Sequence, residues 1–285
     1  MRVAVTGARG FLGRHLLAVL RASGDTVVPI GRDDQGHLVS PRAERADALV
    51  HLAFATNPVE RRSQPLETLL SIVRGTTDAI EIARELGAAH LLLASSGKVY
   101  GWPDALPIAD GSPTRPTTQL GELKLLAEGI FSLAARTTGV SATLLRVFNA
   151  YGAEQPAWFL LPTLLEGVSR GELVLGELDH ARDWVHVTDV ARAFVTALRT
   201  PPEAGAVRAW NVASGEAHSA RDLVDLLRRA GLHVPTPQID PARLRTREAP
   251  VERAACEGLR GAGWTPQVAL EAGIAGLVTA SGVAS

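Results

Sequence analysis

The sequence predicts an α/β fold, a doubly wound parallel sheet followed by a smaller C-terminal α/β substrate-binding cap. Three observations carry the prediction. Short apolar strands alternate with amphipathic helices through the first half of the 285 residues. The first strand stops on a spaced glycine triplet and restarts as a helix. Beyond residue 152 the rhythm changes, and helical pieces alternate with much shorter strands.

Taken in order, Val3, Ala4 and Val5 form the first strand, and Leu12, Leu16, Val19 and Leu20 recur at helical spacing. Between them, Gly7 permits a tight turn, Gly10 lets the backbone approach a ligand, and Gly13 lets the helix pack close to the sheet. The helix N-terminus so exposed, with unpaired N–H groups and a positive dipole end, suits the pyrophosphate of a dinucleotide. Ser23-Gly24 ends the helix, and residues 26–30 form the second strand, which runs into Gly31-Arg32. A NAD-selective site places a carboxylate there for the ribose 2′-hydroxyl. Gly31 stands there instead, and Arg32 and Arg9 suit a 2′-phosphate, which favours NADP(H). Asp33 and Asp34 follow at once and keep NAD(H) as the alternative.

Residues 33–46 are short and polar, with little room for a third strand and crossover helix. Residues 48–53 form a buried strand in which His51 reads as a satisfied core histidine. A long helix over 65–86 ends at Gly87, and the strand over 90–95 delivers Ser95 to Gly101 to its C-terminal end, where open α/β sheets bind ligands. A loop rich in Pro and Asp leads to a helix over 119–138, then a strand over 143–148 and Asn149 to Gly152. Helices over 161–170, 189–199 and 220–230 follow, with short strands around Val174 and Trp210. Ser219 and Asp222 form a capping box for the third helix, and Asp189 or Thr188 is expected to cap the second. Asp183 and His186 read as framework, Glu122 as a solvated helix face, and Trp158, Trp184 and Trp210 as cap core. Residues 1–152, with strand and helix returns from 183–212, are expected to form the dinucleotide-binding domain; 153–182 and 213–285 form the substrate lobe.

Composition narrows the function. A net charge of −1 without a basic block disfavours nucleic acid and anionic membrane as partners. No apolar run reaches membrane-spanning length, and a first strand that reads as buried does not read as a signal peptide. Cys256 is the only cysteine, so no intrachain disulfide and no cysteine-based zinc site is expected; no metal is invoked, and a cytoplasmic location fits. Of 29 cationic residues only Lys98 and Lys124 are lysine. Lysine kept in an arginine-dominated chain points to a compact ammonium or a titratable amine.

These segments together resemble the extended short-chain dehydrogenase/reductases of the NAD-dependent epimerase/dehydratase type, Rossmann-type enzymes that act on nucleotide sugars. Residues 6–13 are similar to the family's glycine motif, His51-Leu52-Ala53 to the strand beneath the nicotinamide, and Ser95 to Gly101 to the active-site strand end. Residues 146–152 resemble the segment bordering the nucleotide-sugar site. Residues 182–191 (Arg-Asp-Trp-Val-His-Val-Thr-Asp-Val-Ala) are the most specific match of the second half, followed by Asn211 to Gly215 and Gly263 to Pro266. The resemblance implies that Gly7, Arg9, Gly10, Phe11, Leu12, Gly13, Arg32, Leu52, Ala53 and Lys124 hold the cofactor. It gives Ser96 the hydroxyl that bonds the sugar oxygen undergoing redox. Asn149 and Arg182, with Arg245 or Arg247, are implied to face the substrate's diphosphate. A homodimer through the helix bearing Lys124 and the helix before it is likewise implied by resemblance.

The departure from the family pattern is equally informative. Tyr-x-x-x-Lys sets a phenol beside an ammonium that lowers its pKa for proton exchange. Here the segment is Leu120-Gly121-Glu122-Leu123-Lys124, and leucine does not titrate. Three replacements stand open: Lys98, two residues after Ser96, with a pKa drawn toward neutrality by desolvation or a cationic nicotinamide; Tyr100; or water or a substrate group. The resulting expectation is an NADP(H)-dependent reductase of a 4-keto-deoxyhexose nucleotide. The alternatives are an epimerase or dehydratase/lyase that uses Lys98 with a retained cofactor, and a non-catalytic dinucleotide-binding protein.

Overall fold

The computed structural model describes residues 1–39, 45–54, 57–244 and 248–282. Strands β1 (Arg2–Thr6), β2 (Thr26–Arg32), β3 (Leu38–Val39), β4 (Ala48–His51), β5 (His90–Ser96), β6 (Ser141–Val147) and β7 (Asn149–Tyr151) occupy the first half. Helices α1 (Phe11–Ala22), α2 (Pro58–Ser63), α3 (Pro65–Leu86) and α4 (Gln119–Thr138) are interleaved with them. The second half supplies β8 (Val174–Leu175), β9 (Ala181–His186), β10 (Val207–Val212), β11 (Ala217–Ser219), β12 (Gln238–Ile239) and β13 (Val251–Glu252). Its helices are α5 (Leu160–Arg170), α6 (Val187–Arg199), α7 (Ala220–Arg229), α8 (Glu257–Gly261) and α9 (Leu270–Ser281).

Among the described residues the main sheet has seven strands in the order β10-β6-β5-β4-β1-β2-β3. Its pairings are parallel except β2–β3. The period-2 alternation of strand side chains divides its residues between two cores. Val3, Val5, Val50 and Leu92 face α1 and α6. Ala4, Leu49, Leu91 and Leu93 face α3 and α4. That two-sided burial is why these strands read as continuous apolar runs. The two-residue, antiparallel β3 explains the short polar stretch before β4, and α2 is a helix that the sequence pattern did not announce.

A second sheet joins β11, β9 and β13, with β7 pairing along the remainder of β9. A third apolar cluster gathers Tyr151, Leu161, Leu164, Trp184, Leu223 and Ile274 around it. The expected lobe of 213–285 is not uniform, because Ala254, Cys256, Leu259 and Trp264 pack into the main-sheet core. Likewise β9 (Ala181–His186), placed with the returning strands by the sequence, belongs to the second sheet.

The Ser219–Asp222 capping box forms as read. The start of α6 differs from expectation. Its N-cap is His186, whose ring accepts from the Thr188 N–H. Asp189 instead accepts from the backbone N–H groups of Gln267 and Val268 and pairs with Arg192, tying the Gly263–Pro266 loop to α6. Of the three tryptophans read as cap core, Trp184 lies there, Trp210 lies in the main-sheet core, and Trp158 is exposed.

Candidate functional site

The C-terminal edge of the main sheet collects the residues singled out by the sequence. At β1, the Gly7 turn has φ +68°, and a Cβ there would sit 2.7 Å from the Ala53 nitrogen; a Cβ on Gly13 would sit 2.2 Å from the Gly7 carbonyl oxygen. Glycine at both positions is therefore required for α1 to dock against β1 and the segment after β4. Gly10 is exposed and caps α1 without a side-chain acceptor, and no acidic residue stands in the first turn of the helix. The residues present thus fit a dinucleotide pyrophosphate, with open N–H donors and no competing charge.

At the end of β2 both Asp33 and Asp34 are exposed. Asp33 accepts from the N–H groups of Gln35 and His37, so its oxygen closes its own turn. Arg9 and Arg32 are both exposed, and Arg32 donates to the Gly36 carbonyl from the same turn.

Under β4, Thr6 Oγ1 accepts from the N–H groups of Leu52 and Ala53 and lies 2.8 Å from His51 Nδ1. With its acceptor sites occupied, the Thr6 hydroxyl directs its proton to Nδ1, which leaves the proton of the neutral imidazole on Nε2. His51 is satisfied at one nitrogen only: Nε2 is buried without a partner among the described residues. Burial first, then the charges of Lys124 and Arg32, push the imidazole down to about 3.

Ser96 ends β5 and caps the following 3-10 turn (Gly97–Val99), accepting from the Lys98 N–H at 3.2 Å. The turn is pressed against neighbours: a Cβ on Gly97 would meet the Phe148 ring at 2.9 Å, and one on Gly121 would meet the Lys98 carbonyl oxygen at 2.3 Å. Lys98 is not the lone amine anticipated. Its Nζ donates to Glu248 Oε2 and Glu252 Oε1, both at 2.8 Å. Arg182 shares the same carboxylates, through NH2 to Glu248 at 3.1 Å and Nε to Glu252 at 3.7 Å. Arg182 NH1 is spent on the carbonyls of Ala181, Ala249 and Pro250. Arg182 thus braces the cluster, and Asn149 donates to the Asp183 carbonyl at 3.3 Å. Arg245 and Arg247 lie outside the described residues.

The lysine whose charge is under strain is Lys124. It is buried on α4, donates to the Ala94 carbonyl at 2.5 Å and lies 3.6 Å from the Phe54 ring centroid. Burial pushes its amine down to about 7, with Glu128 opposing the shift and Arg61 adding to it. Leu120 stands one helical turn before it, in the first turn of α4.

Neither tyrosine offers its phenol to the site. Tyr151 is fully buried. Tyr100 donates to Asn211 Oδ1 at 2.7 Å and accepts from Arg146 at 2.9 Å, and burial pushes its phenol up against the opposing pull of Arg146. Tyr100 belongs to a buried polar network that sequence reasoning missed. Glu128 accepts from Ser95 at 2.5 Å and takes two bonds from Arg146 at 3.0 and 2.8 Å. Asp110 accepts from the N–H groups of Asn211 and Gly258. One signal was available: Glu128 is four residues after Lys124, on the same face of α4. Among the described residues no group of three or more His, Cys, Asp or Glu side chains could hold a metal, and no helix is long and apolar enough to cross a membrane.

Comparison with known proteins agrees with this arrangement. Residues 3–213 match the model of the NAD dependent epimerase/dehydratase family. Over 95% of its length the chain is 31% identical to a GDP-6-deoxy-D-mannose reductase of Pseudomonas aeruginosa, covering 93% of that protein. A UDP-glucose 4-epimerase of Lacticaseibacillus casei is 27% identical over 87% of the chain and 86% of its own length. Among solved structures, RMD from P. aeruginosa complexed with NADPH superposes with a TM-score of 0.87 at 28% identity, covering 98% of this chain and 97% of that one. MoeE5 in complex with UDP-glucuronic acid and NAD gives 0.83 at 27% identity, covering 96% and 97%. A nicotinamide-dinucleotide enzyme built on this fold is what the sheet edge and the glycine cradle describe. The chain belongs to the NAD dependent epimerase/dehydratase family.

The buried Lys124 amine makes stability depend on pH. Its folded-state pKa of about 7 lies below the ordinary lysine value of 10.5, so between these values the unfolded chain binds more protons and this group's contribution to stability rises with pH. Urea unfolding of the cofactor-free protein at pH 7 and pH 8.5 is expected to show a gain for the wild type that is smaller in Lys124→Met. An identical pH response in both proteins contradicts a strained amine.

Proposed function

We propose that the protein reduces a keto group on a nucleotide-linked deoxysugar, most specifically a 4-keto-deoxyhexose, with NADPH as reductant. The observation that carries this reading is the full-length similarity to a GDP-6-deoxy-D-mannose reductase. The similarity in fold to RMD, solved complexed with NADPH, supports it. So does the exposure of Arg9 in the glycine turn and of Arg32 at the end of β2.

In this reading Gly7, Gly10, Gly13, Phe11 and Leu12 hold the dinucleotide at the N-terminus of α1, Leu52 and Ala53 lie beneath it, and Arg9 and Arg32 take the 2′-phosphate. When bound, the cofactor supplies hydride to the sugar carbonyl. Ser96 donates its hydroxyl to the carbonyl oxygen and polarises it. Lys98, on the same turn, delivers the proton to that oxygen. Lys124 donates to the nicotinamide ribose, and satisfying its buried amine there strengthens cofactor binding. Asn149 and Arg182 border the diphosphate, Arg182 through the cluster it braces. Tyr100 takes no proton-transfer role, because its phenol is committed to Asn211 and Arg146.

The similarity to a UDP-glucose 4-epimerase favours a second reading, in which the same residues return the hydride to the sugar and the cofactor stays bound. The two part on stoichiometry. On a panel of 4-keto nucleotide sugars and their non-keto parents, the wild type is expected to consume NADPH faster than NADH. Lys98→Met is expected to cut the rate by about 10²-fold or more. Turnover without nicotinamide consumption moves the protein to the epimerase class, and full activity in Lys98→Met removes the proton-donor role.

We further propose a homodimer through α3 and α4. Leu66 and Leu70 on α3 and Leu126 and Leu133 on α4 are exposed, and Leu126 and Leu133 line an open apolar groove of about 460 Å³. Sedimentation is expected to give a dimer that Leu126→Glu/Leu133→Glu converts to monomer; a monomeric wild type rejects the proposal.

A further inference from the structure

Lys98, Arg182, Glu248 and Glu252 form a square of two cations and two anions whose side chains are 7–17% exposed. The topology explains why they meet. Glu252 lies opposite Arg182 in the β9–β13 register, so the second sheet fixes one acid and one base side by side. Lys98 reaches this pair from the 3-10 turn that Ser96 caps, at the end of the active-site strand. The square therefore joins the site end of the main sheet to the substrate side of the molecule.

The residue type at position 98 is the informative feature. A purely structural bridge between two carboxylates is served better by arginine, whose planar fork bonds carboxylate oxygens in pairs and keeps its charge. This chain uses arginine for nearly all its positive charge, yet it carries lysine here. A buried ion cluster is also a poor source of stability, since desolvation offsets much of its attraction. Of the two cations only lysine gives up a proton and regains it, and a fixed anion holds it in place.

We infer that Glu252 is a positioning residue that fixes the Lys98 amine at the end of the turn that Ser96 caps. The inference rests on the proposed proton-donor role of Lys98. In the step concerned, the carbonyl carbon gains hydride from the reduced nicotinamide and the carbonyl π bond breaks. An N–H bond of Lys98 breaks as the new O–H bond forms, leaving a neutral amine and an oxidised nicotinamide. A proton from water then restores the ammonium. Glu252 is anchored in strand β13, whereas Glu248 lies outside the strand, so Glu252 carries the positioning.

The test is a double-mutant cycle on NADPH consumption, with wild type, Glu252→Gln, Lys98→Met and the double variant, each checked for thermal midpoint and NADPH affinity. Glu252→Gln is expected to lower kcat by about tenfold or more with KM changed less than about twofold, and the double variant is expected to be no slower than Lys98→Met alone. Glu252→Asp is expected to recover part of the loss. Lys98→Arg, which keeps the ion pairs, is expected to be as impaired as Lys98→Met. Wild-type kcat in Glu252→Gln, losses that multiply in the double variant, or full activity in Lys98→Arg overturns the inference. If Glu252→Gln does not fold, Glu252→Asp and Lys98→Arg decide it: both at wild-type kcat contradict the positioning role. Turnover without NADPH consumption ends the reductase reading but leaves the cycle readable on the epimerisation rate. A wild type inert on every sugar nucleotide overturns both.

Discussion

The buried carboxylate of Glu128 is the point through which the active-site half of the molecule is held. It takes two hydrogen bonds from Arg146 on β6 and one from Ser95 on β5. Arg146 extends the connection to Tyr100, and Tyr100 to Asn211 on β10. Asp110 closes it by accepting from Asn211 and from Gly258 on α8. One connected set of hydrogen bonds thus links α4, three neighbouring strands and the C-terminal segment. Removing either Arg146 or Glu128 leaves the other's buried charge unpaired, a penalty of about 3–5 kcal/mol in comparable cases. The network lies directly behind Ser96 and Lys124, so the positions of both inherit its rigidity.

That rigidity allows the two lysines to be different kinds of amine. Lys124 is surrounded by apolar groups, a carbonyl and a ring face, and burial lowers its affinity for a proton. Lys98 is set between two carboxylates that match its charge. Their partners separate them, two carboxylates at Lys98 against a carbonyl and a ring face at Lys124.

Much of the fold was legible because its signals are local. The Gly7–Gly13 spacing, the αL stops at Gly87 and Gly139, and the Ser219–Asp222 capping box are each decided within a few residues. What was not legible depends on long-range contact. Glu248 and Glu252 lie about 150 residues from Lys98 and meet it only through the β9–β13 register. Asp189 looked like a local helix cap, but its oxygens serve Gln267 and Val268, nearly eighty residues away. His51 read as a satisfied core residue, and only packing reveals that Nε2 is left without a partner among the described residues. Trp158 looked like core because aromatic residues usually are, yet the loop after β7 leaves it exposed.

The central claim is the proposal that the site moves hydride from NADPH to a sugar carbonyl. Its most direct measurement is the fate of deuterium in product formed from a 4-keto nucleotide sugar and NADPH deuterated at the transferring position. The account predicts that the product sugar carries the deuterium at the former carbonyl carbon, with one oxidised cofactor per labelled product. A product free of label, or formed while the nicotinamide stays reduced, contradicts it.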